Sequence, residues 1–292
     1  MRVLVTGGSG RLGQAVVREL FTHGHQIAVL DVVKPRECLC PTYAIDLSKT
    51  RGLEPHFKSL DGVIHLARQR FPYTENGFNP AAQQWEFPDT IADAERFNLN
   101  IAMTSNVLAA AQAAGVKKIV CGSSLAVYGF YYPPVRLQPE CLPIDEDHPL
   151  CPQDPYGLTK LVGEKLCDAV SLKSGAQIAS LRFSGIYTEA HRVMLSERKN
   201  KPLVRGTGAL WSYIDARDAA RACRLALEAE FSGHEKFNIC AADTLMDTPT
   251  AELVKKYLPE VKFMRPIEGR GSGYDVAKAK RMLSFESMLR LP

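Results

Sequence analysis

The chain has 292 residues, 46% of them hydrophobic and 23% charged, an ordinary globular composition that excludes a disordered or fibrous chain. Its net charge of +4 is too small to argue for a nucleic acid or an anionic membrane as partner. The uncharged run 119–135 is interrupted by Ser123, Ser124 and Pro133-Pro134, unlike a bilayer span, and the start reaches Gly7 before a signal-peptide core could form. A cytoplasmic protein built as one large α/β unit with a small appended lobe is expected.

In chain order, Val3 to Thr6 reads as a strand ending in glycines. Leu12, Ala15, Val16 and Leu20 then recur at helical spacing up to Gly24. Further strands are expected at Gln26 to Asp31, Tyr43 to Asp46 and Val63 to Leu66. Thr104, Val107, Leu108 and Ala111 mark one face of a helix that stops at Gly115, and the strand Ile119 to Gly122 follows. Strands apolar throughout, separated by amphipathic helices, predict a doubly wound parallel sheet covered on both faces. Residues 68–90, with Pro72, Tyr73, Phe78, Pro80, Trp85 and Pro88, and the proline-rich residues 129–155 show neither period and read as long functional loops. The acidic run Asp145-Glu146-Asp147 reads as a solvated loop rather than a metal site. After 184 the expected elements are shorter: a helix near 216–229, a strand Lys236 to Cys240, and helices near 249–257 and 275–283. No Cys-x-x-Cys occurs, and Cys121, Cys167, Cys223 and Cys240 lie in apolar stretches, as reduced buried thiols do.

The first strand runs directly into Thr6-Gly7-Gly8-Ser9-Gly10-Arg11-Leu12-Gly13 at the opening of a helix. Gly7 permits the tight turn, Gly10 lets the backbone approach a pyrophosphate, and Gly13 lets helix and strand pack closely. Asp31, 18 residues after Gly13 at a strand end, can accept hydrogen bonds from an adenosine ribose and would repel a 2′-phosphate. NAD is therefore expected over NADP, with Lys34 and Arg36 close by as a counterweight. Tyr156 and Lys160, in Tyr156-Gly157-Leu158-Thr159-Lys160, share one side of a helix roughly 6 Å apart along its axis. A phenol titrates near pH 10, and a neighbouring ammonium stabilises its phenolate. Ser124 would offer a hydroxyl to the substrate oxygen. Singly these signals are weak; their force lies in the order of glycine turn, acidic strand end, serine pair, then Tyr and Lys.

On these residues the chain resembles the extended short-chain dehydrogenase/reductases, in particular the NAD-dependent epimerase/dehydratase branch that acts on sugars. The likeness extends over Asp46-Leu47, Val63-Ile64-His65-Leu66-Ala67, Asn100, Thr104, Asn106-Val107-Leu108, Ser123 to Gly129, Leu181-Arg182-Phe183, Phe237-Asn238-Ile239 and residues 275–285. It implies a Rossmann-type fold with a small C-terminal substrate lobe, residues 1–183 binding NAD and 184–292 forming most of the lobe while returning segments to the first unit. It implies Tyr156 as acid/base, Lys160 holding the nicotinamide ribose and tuning Tyr156, and Ser124 orienting the reacting hydroxyl. The implied cofactor site comprises Gly7, Gly10, Arg11, Leu12, Gly13, Asp31, Asp46, Leu47, Leu66, Ala67, Asn100, Tyr156 and Lys160. A homodimer pairing the helices of 100–114 and 156–172 is implied as well.

The chain also departs from the sugar-nucleotide members. Gly185 stands where they carry a substrate-touching Asn, Trp211-Ser212 stands in place of Arg-Asp, and Thr188 to Leu210 is a short 23-residue stretch. Uronate dehydrogenases have a similarly reduced lobe. Arg68, Arg70, Arg182 and Arg192 are candidate holders of a carboxylate or phosphate. The sequence therefore predicts an NAD-linked enzyme that removes hydride from a secondary alcohol of a sugar, with net oxidation of a free sugar acid as the alternative. A non-catalytic dinucleotide-binding regulator is the rival reading. A small pocket, poor at gripping a nucleoside diphosphate, is expected, with Tyr73, Phe78 and Trp85 as the counter-argument.

Overall fold

The computed structural model describes residues 1–35, 39–71, 78–79, 84–85, 90–132, 137–198 and 209–290, with only the backbone described at 78, 79, 84, 85, 90, 192, 197 and 198. Seven strands form the central sheet: β1 (Arg2–Thr6), β2 (Gln26–Asp31), β3 (Thr42–Ala44), β4 (Gly62–His65), β5 (Lys118–Ser124), β6 (Gln177–Phe183) and β7 (His234–Ile239). Their order is β7-β6-β5-β4-β1-β2-β3, and every neighbouring pair is parallel. The order reverses between β1 and β4, so the crevice above their carboxyl ends is where this topology admits a ligand. The Rossmann-type α/β expectation holds.

Side-chain alternation along the strands divides the core into two layers. Val3 and Val5 of β1 pack with Val16, Val17 and Leu20 of α1 (Arg11–Thr22). Leu4, together with Val63 and Ile119, faces Val107, Leu108 and Ala111 of α2 (Thr90–Ala113) and Cys167 of α3 (Pro155–Ser174). Ala219, Cys223 and Leu227 of α4 (Ala216–Glu228) join the first layer. Each fully buried side chain of valine or leucine size contributes roughly 1.5–3 kcal/mol of apolar burial. Local chemistry fixes where α3 and α4 begin. Asp154 accepts the Gly157 amide at 3.0 Å with Pro155 in the first turn, and Asp215 accepts the Arg217 amide at 2.8 Å.

Three sequence expectations change. The third strand ends at Ala44, because the Asp46 carboxylate turns back to accept the amide and hydroxyl of Ser48 at 3.0 and 2.6 Å. The fifth strand runs on to Ser124, which pairs with Phe183, so the serine pair forms the strand end itself rather than a loop after it. The acidic run is solvated only in part. Asp145 and Asp147 are exposed, but the Glu146 carboxylate accepts the Asn238 amide at 2.8 Å, and buried His148 accepts the Glu140 amide at 3.2 Å.

The described part of 129–155 is largely irregular, as expected, but it also supplies side chains to a second core. Leu142 and Ile144 pack there with Leu210, Trp211, Leu253, Val254, Leu258 and Tyr274. The pair Cys141–Leu142 aligns parallel with Lys262–Phe263. Further along, Ala279, Leu283 and Phe285 return to the first sheet layer.

Candidate functional site

An open cleft runs along the carboxyl ends of β1, β2, β4, β5 and β6. Gly7, Gly10, Arg11, Leu12, Gly13, Asp31, Asp46, Leu47, Leu66, Ala67, Arg68, Ser124, Tyr156 and Lys160 all line it. Its floor is the turn between β1 and α1. Gly7 sits at φ +73°, and a Cβ there would meet the Ala67 amide nitrogen at 2.6 Å. At Gly13 a Cβ would lie 2.1 Å from the Gly7 carbonyl oxygen, so helix and turn approach closely only because both lack side chains. A Cβ on Gly10 would meet a single neighbour, the Gly7 oxygen at 3.2 Å, which leaves that backbone open toward the cleft. No side chain caps α1, so its first-turn N–H groups are offered where an anionic phosphate can accept them. These features fit a dinucleotide.

At the far end, backbone amides orient the Asp31 carboxylate: Ser9 N–H donates at 2.9 Å and Val33 N–H at 3.2 Å. Lys34 is exposed and does not line the cleft, while Arg36 lies outside the described residues. Asp46 and Leu47 form the adjacent wall, and the hydrogen bonds of Ser48 hold the Asp46 carboxyl below its usual pKa. Asn100 departs from its expected role. It is buried, and its amide is spent on the backbone of Gln69, accepting N–H at 2.8 Å and donating to the carbonyl at 3.2 Å. It holds the 66–70 segment in place from behind and does not line the main cleft.

The second cluster lies where β5 and α3 meet. Lys160 donates to the Gly122 carbonyl at 2.8 Å, and its Nζ lies 5.8 Å from the Tyr156 ring centroid. The guanidinium carbon of Arg68 lies 5.3 Å from the same centroid. Phe71 and Tyr132 set the ring edge-on at 6.2 and 6.1 Å. Burial, with the charge of Arg68 adding to it, pulls the Lys160 ammonium down to a pKa of about 8. Ser124 Oγ accepts the Ala126 amide at 3.1 Å, which leaves its O–H to donate into the cleft. Behind Lys160, His65 lies 2.7 Å from the Thr6 hydroxyl and 3.2 Å from that of Thr104. Thr104 donates to the Asn100 carbonyl at 3.0 Å, so His65 Nε2–H donates to Thr104 and Nδ1 accepts from Thr6. Burial, and then the Lys160 charge, lower the His65 pKa to about 3.

The remaining arginines separate. Arg182 is not a substrate residue: its side chain is 2% exposed and forms a two-point pair with Glu164, Nε to Oε1 at 3.0 Å and Nη2 to Oε2 at 2.9 Å. Its Nη1 donates to the Tyr128 hydroxyl at 2.9 Å and to the Glu146 carbonyl at 3.0 Å. The side chain of Arg192 lies outside the described residues, as do those of Tyr73, Phe78 and Trp85. Arg68 and Arg70 line the cleft. Gly185 also lines it, but Trp211 is buried in the lobe core and Ser212 is tied at 3.1 Å to Tyr131. Tyr131, Tyr132, Tyr187 and His191 complete the wall and were not anticipated. They fall in segments with no periodic signal, and tertiary packing alone brings them together.

The sequence model of the NAD dependent epimerase/dehydratase family matches residues 3–240. The UDP-glucose 4-epimerase of Corynebacterium glutamicum is 26% identical over 272 residues, covering 83% of this chain and 76% of that protein. The UDP-glucose 4-epimerase of Bacillus subtilis is 30% identical over 198 residues, covering 63% and 52%. The chain spans about half the length of most of the curated relatives it matches. A short-chain dehydrogenase/reductase superfamily protein from Agrobacterium tumefaciens, solved with bound NAD, superposes with a TM-score of 0.70 at 25% identity, covering 100% of this chain and 94% of that one. The UDP-N-acetylglucosamine 4-epimerase of Bacillus cereus shares the fold at a TM-score of 0.69 and 22% identity, with coverage of 100% and 94%. Among the described residues, no helix is long and apolar enough to cross a membrane.

Proposed function

The chain belongs to the NAD dependent epimerase/dehydratase family, and from that premise we propose that it removes hydride from a secondary alcohol of an anionic sugar derivative. The observation that carries this reading is the convergence of Tyr156, Lys160, Ser124 and Arg68 at one end of a cleft whose other end holds Asp31. NAD, when bound, supplies the hydride acceptor. Gly7, Gly10, Arg11, Leu12 and Gly13 would hold its pyrophosphate, Asp31 its adenosine ribose, and Asp46, Leu47, Leu66 and Ala67 the adjoining groove. The Tyr156 phenolate takes the proton of the substrate hydroxyl, Lys160 stabilises that phenolate, and Ser124 donates to the same substrate oxygen so that the alcohol is fixed for transfer. Asn100 serves as a positioning residue.

Arg68 supports the anionic part of the reading. It lies beside the Tyr156 ring, and among the described residues no carboxylate pairs with it. A guanidinium there can hold a carboxylate or phosphate bidentately, close to the reacting carbon. With Trp211 and Ser212 turned away from the cleft, a free sugar acid suits the lobe better than a sugar nucleotide. The second reading, epimerisation of a nucleotide-linked sugar, is favoured by the named activity of the relatives. Absorbance of NADH on mixing with NAD and D-glucuronate or D-galacturonate tests the first. Its absence, together with conversion of a UDP-sugar, selects the second. Arg68→Met should raise KM for sugar acids about tenfold or more while leaving NAD affinity unchanged.

We also propose residues 1–183 as the NAD-binding unit and 184–292 as most of the substrate lobe. Exposed Leu99 on α2 with Leu158 and Leu172 on α3 supports pairing of these helices in a homodimer, which light scattering would test.

A further inference from the structure

We propose that Ser180, His234 and Asp168 form a proton path beneath α3 that links the ammonium of Lys160 to solvent on the side away from the cleft. The proposal rests on the reading of Lys160 as partner of the proton-transferring phenol. A small cavity beside Lys160, walled by His65, Thr104, Glu164 and Ser180 and sharing Arg68 and Lys160 with the cleft, is large enough for about one water molecule. From Ser180, on the wall of this cavity, hydrogen-bond contacts run outward. Ser180 Oγ lies 2.8 Å from His234 Nε2, and His234 Nδ1 lies 2.8 Å from Asp168 Oδ1. Asp168 is 30% exposed at the protein surface and accepts from Lys236 at 2.6 Å.

The polarity of these bonds is fixed by chemistry. An ionised carboxylate only accepts, so His234 carries its proton on Nδ1 and donates it to Asp168. Its Nε2 must then accept from the Ser180 hydroxyl, whose oxygen remains able to accept from a donor in the cavity. Every donor therefore points from the cavity toward solvent. A proton leaving Lys160 is passed through a cavity water to Ser180 Oγ as the serine proton moves to His234 Nε2. The Nδ1 proton then passes through Asp168 to bulk water. One proton enters, one leaves, and no heavy-atom bond is made or broken. The chain resets when the serine hydroxyl and the imidazole recover their starting tautomer.

The groups facing His234 keep it neutral at rest. Burial lowers its pKa, as does Lys236 on its own strand, against the opposing pull of Asp168 and Glu164 from α3. Burial raises the Asp168 carboxyl, but the hydrogen bonds of Lys236 and His234 outweigh it and hold the group ionised. Lys160 itself faces Arg68, Cys121 and Glu164. Tyr156 borders the cleft, which bound cofactor and substrate would fill, so a rear exit matters most when oxidation must release a proton in every turnover. Epimerisation returns that proton and does not need the path.

The test uses the NAD-bound protein and two variants. His234→Gln keeps both hydrogen bonds, because its amide oxygen accepts from Ser180 and its nitrogen donates to Asp168, yet it cannot exchange one proton for another between two ring nitrogens. Ser180→Ala cuts the path one step earlier with little change of volume. Solvent exchange of the Lys160 ammonium protons, followed by nitrogen-15 NMR, should slow about tenfold in both variants. With D-glucuronate or D-galacturonate as probes, kcat for NADH formation should fall about as much with KM unchanged, and the solvent deuterium isotope effect should rise. Unaltered lysine exchange in both variants overturns the path. If the wild-type protein forms no NADH from either sugar acid, the substrate reading fails, and the exchange measurement alone decides for or against the path.

Discussion

The Arg182–Glu164 pair offers a sharp test of whether Arg182 is structural. Both side chains are almost fully buried, 2% and 3% exposed, and the guanidinium meets the carboxylate at 3.0 and 2.9 Å. Glu164 also accepts the Ser123 hydroxyl at 2.6 Å, so the pair ties β5, β6 and α3 together. Replacing one partner leaves the other charge in a low-dielectric interior without compensation. We expect Glu164→Ala to lose about 3–5 kcal/mol, because the remaining contacts of Arg182 are neutral acceptors. At this chain length that loss lowers the unfolding temperature by roughly 5–8 °C. Removing both charges together, as Arg182→Met with Glu164→Leu, should cost clearly less than Glu164→Ala, since no charge is then stranded. Urea unfolding of the wild type, both singles and the double completes the cycle. A Glu164→Ala midpoint equal to that of the wild type, or a double variant less stable than the worse single, refutes the assignment.

Other outcomes follow from the same geometry. Tyr156→Phe should reduce turnover by about 10²–10⁴-fold while leaving NAD binding by fluorescence titration nearly intact, and Lys160→Met should weaken both; wild-type turnover in Tyr156→Phe sinks the acid/base role. The wild type should bind NAD more tightly than NADP, and Asp31→Ala should narrow the gap, because the carboxylate faces a 2′-hydroxyl favourably and a 2′-phosphate unfavourably; equal affinities in the wild type contradict this. The folded-state pKa of His65, about 3, lies below its ordinary value of 6.5, so the unfolded chain binds the extra proton as pH falls. This group's contribution to stability is therefore complete above about pH 6.5 and declines by about 1.4 kcal/mol per unit below it. His65→Gln should flatten the fall of the urea midpoint between pH 6 and 4.5, and an unchanged slope would show that His65 is not responsible.

Much of the cofactor end is local in sequence and was legible there. Gly7, Gly10 and Gly13 lie within one turn and the start of one helix, and Asp31 ends the next strand, so their meeting requires little beyond the parallel pairing of β1 and β2. The pairing of Tyr156 with Lys160 likewise follows from helical spacing. Tertiary structure decided the rest, because the same residue type takes opposite roles according to what packs around it. Arg68 and Arg182 both read as anion holders. Arg68 projects into the cleft beside Tyr156, whereas Arg182 faces Glu164 from α3 in the buried interior, where an unpaired guanidinium would be too costly to persist. Asn100 moved from the cleft wall to its support for a related reason: a buried amide must satisfy its hydrogen bonds, and the nearest open backbone is Gln69. The outward path through Ser180, His234 and Asp168 joins two strands and a helix separated by up to 66 residues of sequence. No local pattern marks such residues, since only the closing of the sheet under α3 brings their polar atoms within hydrogen-bonding distance.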